Sequence, residues 1–220
     1  MMMAYIAVTV IGYLLGSIPF GYLLVKIFRG EDIRLSGSGN IGATNVARSG
    51  AKGLGITTLL LDAVKGMLAV ALALFLAGTR DFCGSAVPCA AGMHLVSVGA
   101  AASILGHMFP VWLRFKGGKG VATALGAFVL VFPKALLITV VIFIIVVVAT
   151  RYVSLASILA SISFPVGAHW LYNPGWQTLL PIWAICGFIV AKHHQNIQRL
   201  LAGTESRFGS SKPSLPEEQA

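Results

Sequence analysis

Five stretches of this chain are long and apolar enough to cross a lipid bilayer: residues 3–27, 54–78, 92–110, 153–172 and 176–191. A spanning helix needs about 20 mostly apolar residues, and in hydrocarbon every backbone N–H and C=O must be paired within the segment, which a helix achieves. Composition agrees: 57% of the residues are hydrophobic and 10% charged, against roughly half and a quarter in soluble domains. The chain therefore reads as an all-α integral membrane protein, with 1–208 as one transmembrane domain. Residues 209–220, "GSSKPSLPEEQA", have the composition of a disordered tail. The first stretch has no basic residue before it and runs past signal-peptide length into Lys26 and Arg29, so it is expected to stay as a spanning helix.

Residues 121–150 read either as one long kinked helix or as two divided at Phe132-Pro133-Lys134. Charge decides, because basic residues concentrate in cytoplasmic loops. The 16 Lys and Arg against 7 Asp and Glu also suit a nucleic-acid partner, but in so apolar a chain they mark loop orientation, and no nucleic acid is expected. Two helices give seven spans, N-terminus outside and C-terminus cytoplasmic. Lys26, Arg29, Arg34, Arg48, Lys52, Arg114, Lys116, Lys119, Arg151, Lys192, Arg199, Arg207 and Lys212 then share the inner side, and Arg80 and Lys134 lie outside. A single helix would export Arg151 and the basic C-terminus. Seven spans are expected, the one opening at Val121 being short for a bilayer.

This topology puts the three most polar loops on the cytoplasmic face. In "LSGSGNIGATNVAR" (35–48), Gly37, Gly39 and Gly42 permit tight turns, while Ser36, Ser38, Asn40, Thr44 and Asn45 supply neutral donors and Arg48 a planar fork. That inventory suits an anion such as phosphate, although a plain polar loop with incidental glycines looks similar. The segment fits G-x-G-x-x-G, but the dinucleotide reading needs a preceding strand and a βαβ unit, for which a loop between spans has no room.

The second loop, 106–123, contains Lys116-Gly117-Gly118-Lys119-Gly120 ahead of an apolar helix. Lys119 and the first-turn N–H groups, at the positive end of the helix dipole, suit a second anion. Ordinary positive-inside placement explains the charge of Arg114, Lys116 and Lys119 but not the glycines around them. It is not a Walker A loop, since Gly120 stands where a hydroxyl is required. The third loop, 192–205, places His193 and Asn196 three apart on one helix face, with Glu205 the nearby carboxylate.

Together these segments resemble the PlsY family, the acyl-phosphate-dependent glycerol-3-phosphate acyltransferases of bacterial membranes. The resemblance runs over nearly the whole chain: residues 36–45 with Arg48, then Gly106-His107-Met108-Phe109-Pro110 with residues 115–123, then Lys192-His193 with Asn196, Arg199 and Glu205. It implies a multi-pass protein of the cytoplasmic (inner) membrane that moves a fatty acyl group from acyl phosphate to the 1-hydroxyl of glycerol 3-phosphate. The products would be lysophosphatidic acid and inorganic phosphate, in the first acylation of phospholipid synthesis. The partners implied are those two substrates and membrane lipid, with no acyl-CoA, acyl carrier protein, cofactor or metal. Acyltransferases using soluble donors carry a His followed five residues later by Asp, whereas here Trp112 follows His107 at that distance.

The roles implied are catalytic for Ser36, Arg48, Lys119, His193 and Asn196. Ser38, Gly39, Asn40, Thr44, Asn45, His107, Gly117, Gly118 and Gly120 would hold substrate and phosphate, with Ser154 and Ser157 as further candidates. Asn196 would orient His193 or substrate, and Glu205 would hold the C-terminal segment. The proton acceptor is open among His193, His107 and a substrate phosphate oxygen, whose second pKa is about 6. Asp62 and Lys65, three apart in the second apolar stretch, need pairing because an intramembrane charge costs about 2.5–3.5 kcal/mol on insertion scales; they read as structural support. His94 and His169 read as structural, Cys186 as apolar packing, and Cys83 with Cys89 as a disulfide candidate in the longest outer loop. A phosphate or organic-anion transporter is the rival class. Seven spans do not divide into equal inverted halves, and the polar groups gather on one face instead of at the midplane.

Overall fold

The computed structural model describes residues 1–78 and 90–209, and every regular element among them is helical. The helices are α1 (Met2–Ser17), α2 (Phe20–Arg29), α3 (Ala43–Arg48), α4 (Lys52–Ala77), α5 (Ala90–Met108), α6 (Val121–Val131), α7 (Pro133–Thr150), α8 (Val153–Tyr172), α9 (Gly175–Lys192) and α10 (His194–Leu201). Short 3₁₀ turns lie at Ile33–Leu35 and Val111–Leu113. Cys83, Cys89, Arg80 and residues 210–220 fall outside the described residues, so the disulfide and the tail do too.

Six stretches are long and apolar enough to span a membrane: Met2–Arg29, Lys52–Ala77, Ala90–Leu113, Pro133–Thr150, Val153–Tyr172 and Gly175–Lys192. The division at Pro133 is as expected, Pro133 starting α7 at a position where its missing N–H costs nothing. The seventh expected span is the exception. α6 has 11 residues, about 16 Å at 1.5 Å per residue, or roughly half a hydrocarbon core.

The first stretch also departs from a single helix. Ile18 is extended (φ −62°, ψ 116°) and Pro19 sits at φ −92°, ψ 70°, because a proline disfavours helical geometry in the residue before it and has no N–H to continue the ladder. The break leaves the Ile18 carbonyl available to a side chain from another helix.

α1 and α5 run side by side in the same direction, Tyr5 meeting His94 near one end and Gly16 meeting Ser103 near the other. The contact is backbone on backbone: a Cβ at Gly16 would run into the Ser103 carbonyl, and one at Gly106 into that of Tyr13. Such close approach replaces the hydrophobic drive that lipid does not supply between helices. α4 runs opposite to α5, with Ala73 at Gly99 and Lys65 at His107. Gly66 packs on Thr123 in the first turn of α6. Ile18, Lys65, His107 and the start of α6 therefore share one level of the bundle. Phe128 of α6 stacks on Phe164 of α8 with centroids 3.9 Å apart. α7 leans mainly on α8 and leaves Leu137, Ile144, Ile145 and Val148 exposed, as a lipid-facing helix does.

Candidate active site

The loop at 33–48 is organised by one side chain. Asn45 is buried; its Nδ2 donates to the carbonyls of Asn40 (2.8 Å) and Ser36 (3.0 Å), and its Oδ1 accepts the N–H of Ser38 at 3.0 Å. Asn40 Oδ1 in turn accepts the Gly42 N–H at 2.8 Å. The sequence offered Asn40 and Asn45 as ligand donors; the Asn45 amide is committed to the loop's own backbone, whereas Asn40 uses only its amide oxygen there. Gly37 and Gly39 (φ +58° and +68°) make the turns. The loop exposes Gly37, Ser38, Gly39, Thr44 and Arg48 and half-buries Ser36 and Asn40, and Arg48 Nη2 donates to the Ser206 carbonyl at 3.1 Å.

The second loop folds back on the end of α5. Gly117 N–H donates to Met108 O (3.2 Å) and Gly118 N–H to His107 O (3.0 Å). A Cβ at Gly117 would strike the His107 carbonyl, one at Gly118 the His107 ring, and one at Gly120 (φ +86°) the side chains of Ile104 and Met108. The glycines thus serve close packing, and the N–H groups of Gly117 and Gly118 are used by the end of α5. The fold-back is also why α6 starts deep and is short. Lys119, at its tip, donates from Nζ to Asn196 Oδ1.

Asn196 belongs to a buried polar chain. Its Nδ2 donates to Glu205 Oε1 at 2.7 Å, Ser154 Oγ donates to the same oxygen at 2.7 Å, and Arg199 Nε meets Glu205 Oε2 at 2.7 Å. Glu205, in the segment after α10, thus meets α8 through Ser154 and α10 through Asn196 and its ionic partner Arg199. Asn196, expected to orient His193 or substrate, bridges Glu205 and Lys119. Ser154 joins this network, whereas Ser157 donates to Val153 O in its own helix at 2.8 Å and does not reach it.

Burial pushes the Lys119 ammonium down to about 8, with Glu205 opposing and Arg199 and Arg48 adding to the fall. Burial also pushes His193 down to about 4, against the pull of its hydrogen bond to Ile189 O. That carbonyl, 2.8 Å from Nδ1, only accepts, so Nδ1 carries the proton and Nε2 keeps the lone pair.

His107, read as a ligand or base, is buried with Nδ1 3.0 Å from Lys65 Nζ and 3.5 Å from Asp62 Oδ1. Asp62 and Lys65 form the expected ion pair at 2.7 Å. Two features escaped the sequence reading. The Ile18 carbonyl takes Lys65 Nζ at 2.7 Å, a contact that Pro19 could have signalled. The strap after α10 also runs along the start of α8, Phe208 N–H donating to Arg151 O at 2.6 Å and Arg207 Nε to Tyr152 Oη at 3.2 Å.

The site is cationic and hydroxyl-bearing and lies at one end of a helical membrane bundle. Residues 6–203 match the model of the family described as glycerol-3-phosphate acyltransferase. The chain belongs to the glycerol-3-phosphate acyltransferase family. The glycerol-3-phosphate acyltransferase of Rhodopseudomonas palustris (strain BisB5) is 44% identical over 208 residues, covering 94% of this chain and 98% of the relative. That of Mesorhizobium japonicum is 47% identical over 201 residues, covering 91% and 94%. The crystal structure of PlsY (YgiH), an integral membrane glycerol 3-phosphate acyltransferase, in its glycerol 3-phosphate form, is similar with a TM-score of 0.81 at 39% identity, covering 93% of this chain and 96% of that one. Its lysophosphatidic acid form gives 0.78 at 37%, covering 93% and 95%. The resemblance to the PlsY family drawn from three loops thus stands, and with it an acyltransferase embedded in a membrane.

Proposed function

We propose that the chain, as one transmembrane domain of the bacterial inner membrane, transfers a fatty acyl group from acyl phosphate to the 1-hydroxyl of glycerol 3-phosphate. Lysophosphatidic acid and inorganic phosphate are the products, and acyl-CoA, acyl carrier protein, cofactor and metal take no part. The reading is carried by the convergence of Arg48 and Lys119, from separate loops, on the Asn196–Glu205 pair and the strap beside it. Both substrates are phosphates, and two cations from different elements suit one bound and one leaving phosphate. The N-terminus lies outside and the site faces the cytoplasm, a placement supported by Lys26, Arg29, Arg34, Lys52, Arg114 and Arg151 crowding the site end.

The hydroxyl oxygen of glycerol 3-phosphate attacks the acyl carbonyl, the new ester C–O bond forms, and the bond from the acyl carbon to phosphate oxygen breaks. Lys119 and Arg48, with Ser36, Ser38 and Thr44, neutralise the phosphates as charge builds on the leaving group. The hydroxyl proton passes to a phosphate oxygen. His193, held near 4, is a weaker base than a phosphate whose second pKa is about 6.

The deciding assay supplies purified protein in liposomes with radiolabelled glycerol 3-phosphate and either palmitoyl phosphate or palmitoyl-CoA. Lipid product should arise from the phosphate donor alone; equal product from the thioester would overturn the donor assignment. The pH profile is a second check. Lys119 is charged below and neutral above its value of about 8, so kcat/KM for glycerol 3-phosphate should fall as pH rises through that value. Lys119→Arg, which stays charged, should remove this alkaline limb.

A further inference from the structure

We propose that Lys65 is a positioning residue for Lys119, acting through His107. The proposal rests on the acyl-transfer reading above. Lys65 is 2% exposed; its ammonium is ion-paired with Asp62 Oδ1 at 2.7 Å, donates to Ile18 O at 2.7 Å and lies 3.0 Å from His107 Nδ1. The Phe20 ring lies 5.6 Å from Nζ on a further side.

A charge at this depth is costly to insert, and an apolar side chain on α4 would insert more easily. The ion pair with Asp62 accounts for tolerance of the lysine. It does not account for the other two contacts, each of which ties Lys65 to a different helix. The Ile18 carbonyl is available only because α1 breaks at Pro19. The His107 ring carries the connection on to the catalytic loop: its Nε2 edge lies against Gly118, so closely that a methyl group there would collide with it, and the His107 carbonyl accepts the Gly118 N–H at 3.0 Å. Lys119 is the next residue. Loop height and the reach of Lys119 towards Asn196 are therefore set from beneath by a ring whose own position is set by the ammonium.

Lys65 touches no group of the proposed reaction, so its effect should run entirely through Lys119. That makes a double-mutant cycle the test, read as kcat/KM for glycerol 3-phosphate in liposomes, with insertion and thermal midpoint recorded for each variant. Lys65→Met should lower activity about tenfold or more in the wild-type background and by less than about twofold in a Lys119→Ala background, a coupling of the size contacting networks show. Equal fold losses in both backgrounds, or none in the wild type, would overturn the proposal. Gly118→Ala displaces the His107 ring from the loop side and should show the same pattern, which keeps the test open if Lys65→Met does not accumulate. Failure of the wild-type protein to use acyl phosphate would instead sink the underlying reading.

Discussion

Lys119→Ala is expected to lower acyl transfer from acyl phosphate by about 10²–10³-fold, the usual consequence of removing one group that stabilises charge developing in a transition state. Arg199, Arg48 and Lys119 differ in what already holds them. Arg199 is held by the Glu205 carboxylate at 2.7 Å, and one arm of Arg48 is engaged by the Ser206 carbonyl. Lys119 has only the neutral amide oxygen of Asn196 among the described residues. An ammonium facing a neutral acceptor retains its attraction for a phosphate, whereas a guanidinium already neutralised by a carboxylate has spent much of its own. Arg199→Ala should therefore cost much less in direct phosphate contact than Lys119→Ala. The thermal midpoint should change little for Lys119→Ala, since the variant leaves only one amide oxygen to find water. A loss smaller than about fivefold would show that the ammonium does not face the reacting phosphates.

The bundle was legible because its physics is coarse. Apolar stretches of spanning length and Pro133 as a divider required no knowledge of side-chain contacts. What the sequence hid were contacts made across the bundle. Pro19 lies in an otherwise unbroken apolar run, and hydropathy cannot tell a kink from a break; the consequence, a carbonyl given to Lys65, depends on α4 passing at that level. The site residues divide in the same way. The sequence marked Lys119, Arg48, Asn196 and Glu205 by chemical type, but the same types serve loop architecture. Asn45 is an amide among glycines and hydroxyls, which fits a ligand donor as well as a loop organiser. Only the positions of four backbone groups around it decide the matter. Likewise Gly117, Gly118 and Gly120 are as suited to a helix end pressing from behind as to a phosphate in front. His193 and Asn196 share a helix face, yet each bonds elsewhere, because Glu205 returns along the chain and takes the asparagine.

Glu205→Ala should have the second large effect, about 10²-fold on activity together with a clear loss of thermal stability. The carboxylate accepts from Ser154, Asn196 and Arg199, and removing it leaves the first two as buried donors without a partner, at about 1–3 kcal/mol each. Arg199 is 38% exposed at its side chain and can turn to water. The functional loss follows from geometry. Without Glu205, Asn196 is no longer held towards Lys119, and the strap that gives Arg48 its Ser206 carbonyl loses its main anchor. Glu205→Gln separates shape from charge: it preserves the size of the group but loses the ion pair, so it should fall between wild type and alanine in both activity and midpoint. The acid side offers a matching test. Burial alone would raise the Glu205 pKa, but the hydrogen bonds from Ser154, Asn196 and Arg199 outweigh it and hold the value below the ordinary 4.5. The stability this contributes is present above the ordinary carboxylate value and is lost as pH falls through the lower, folded one. Wild type should consequently lose thermal midpoint more steeply than Glu205→Gln as pH is lowered below about 4.5. Parallel acid profiles for the two proteins would mean that the carboxylate does not hold the strap.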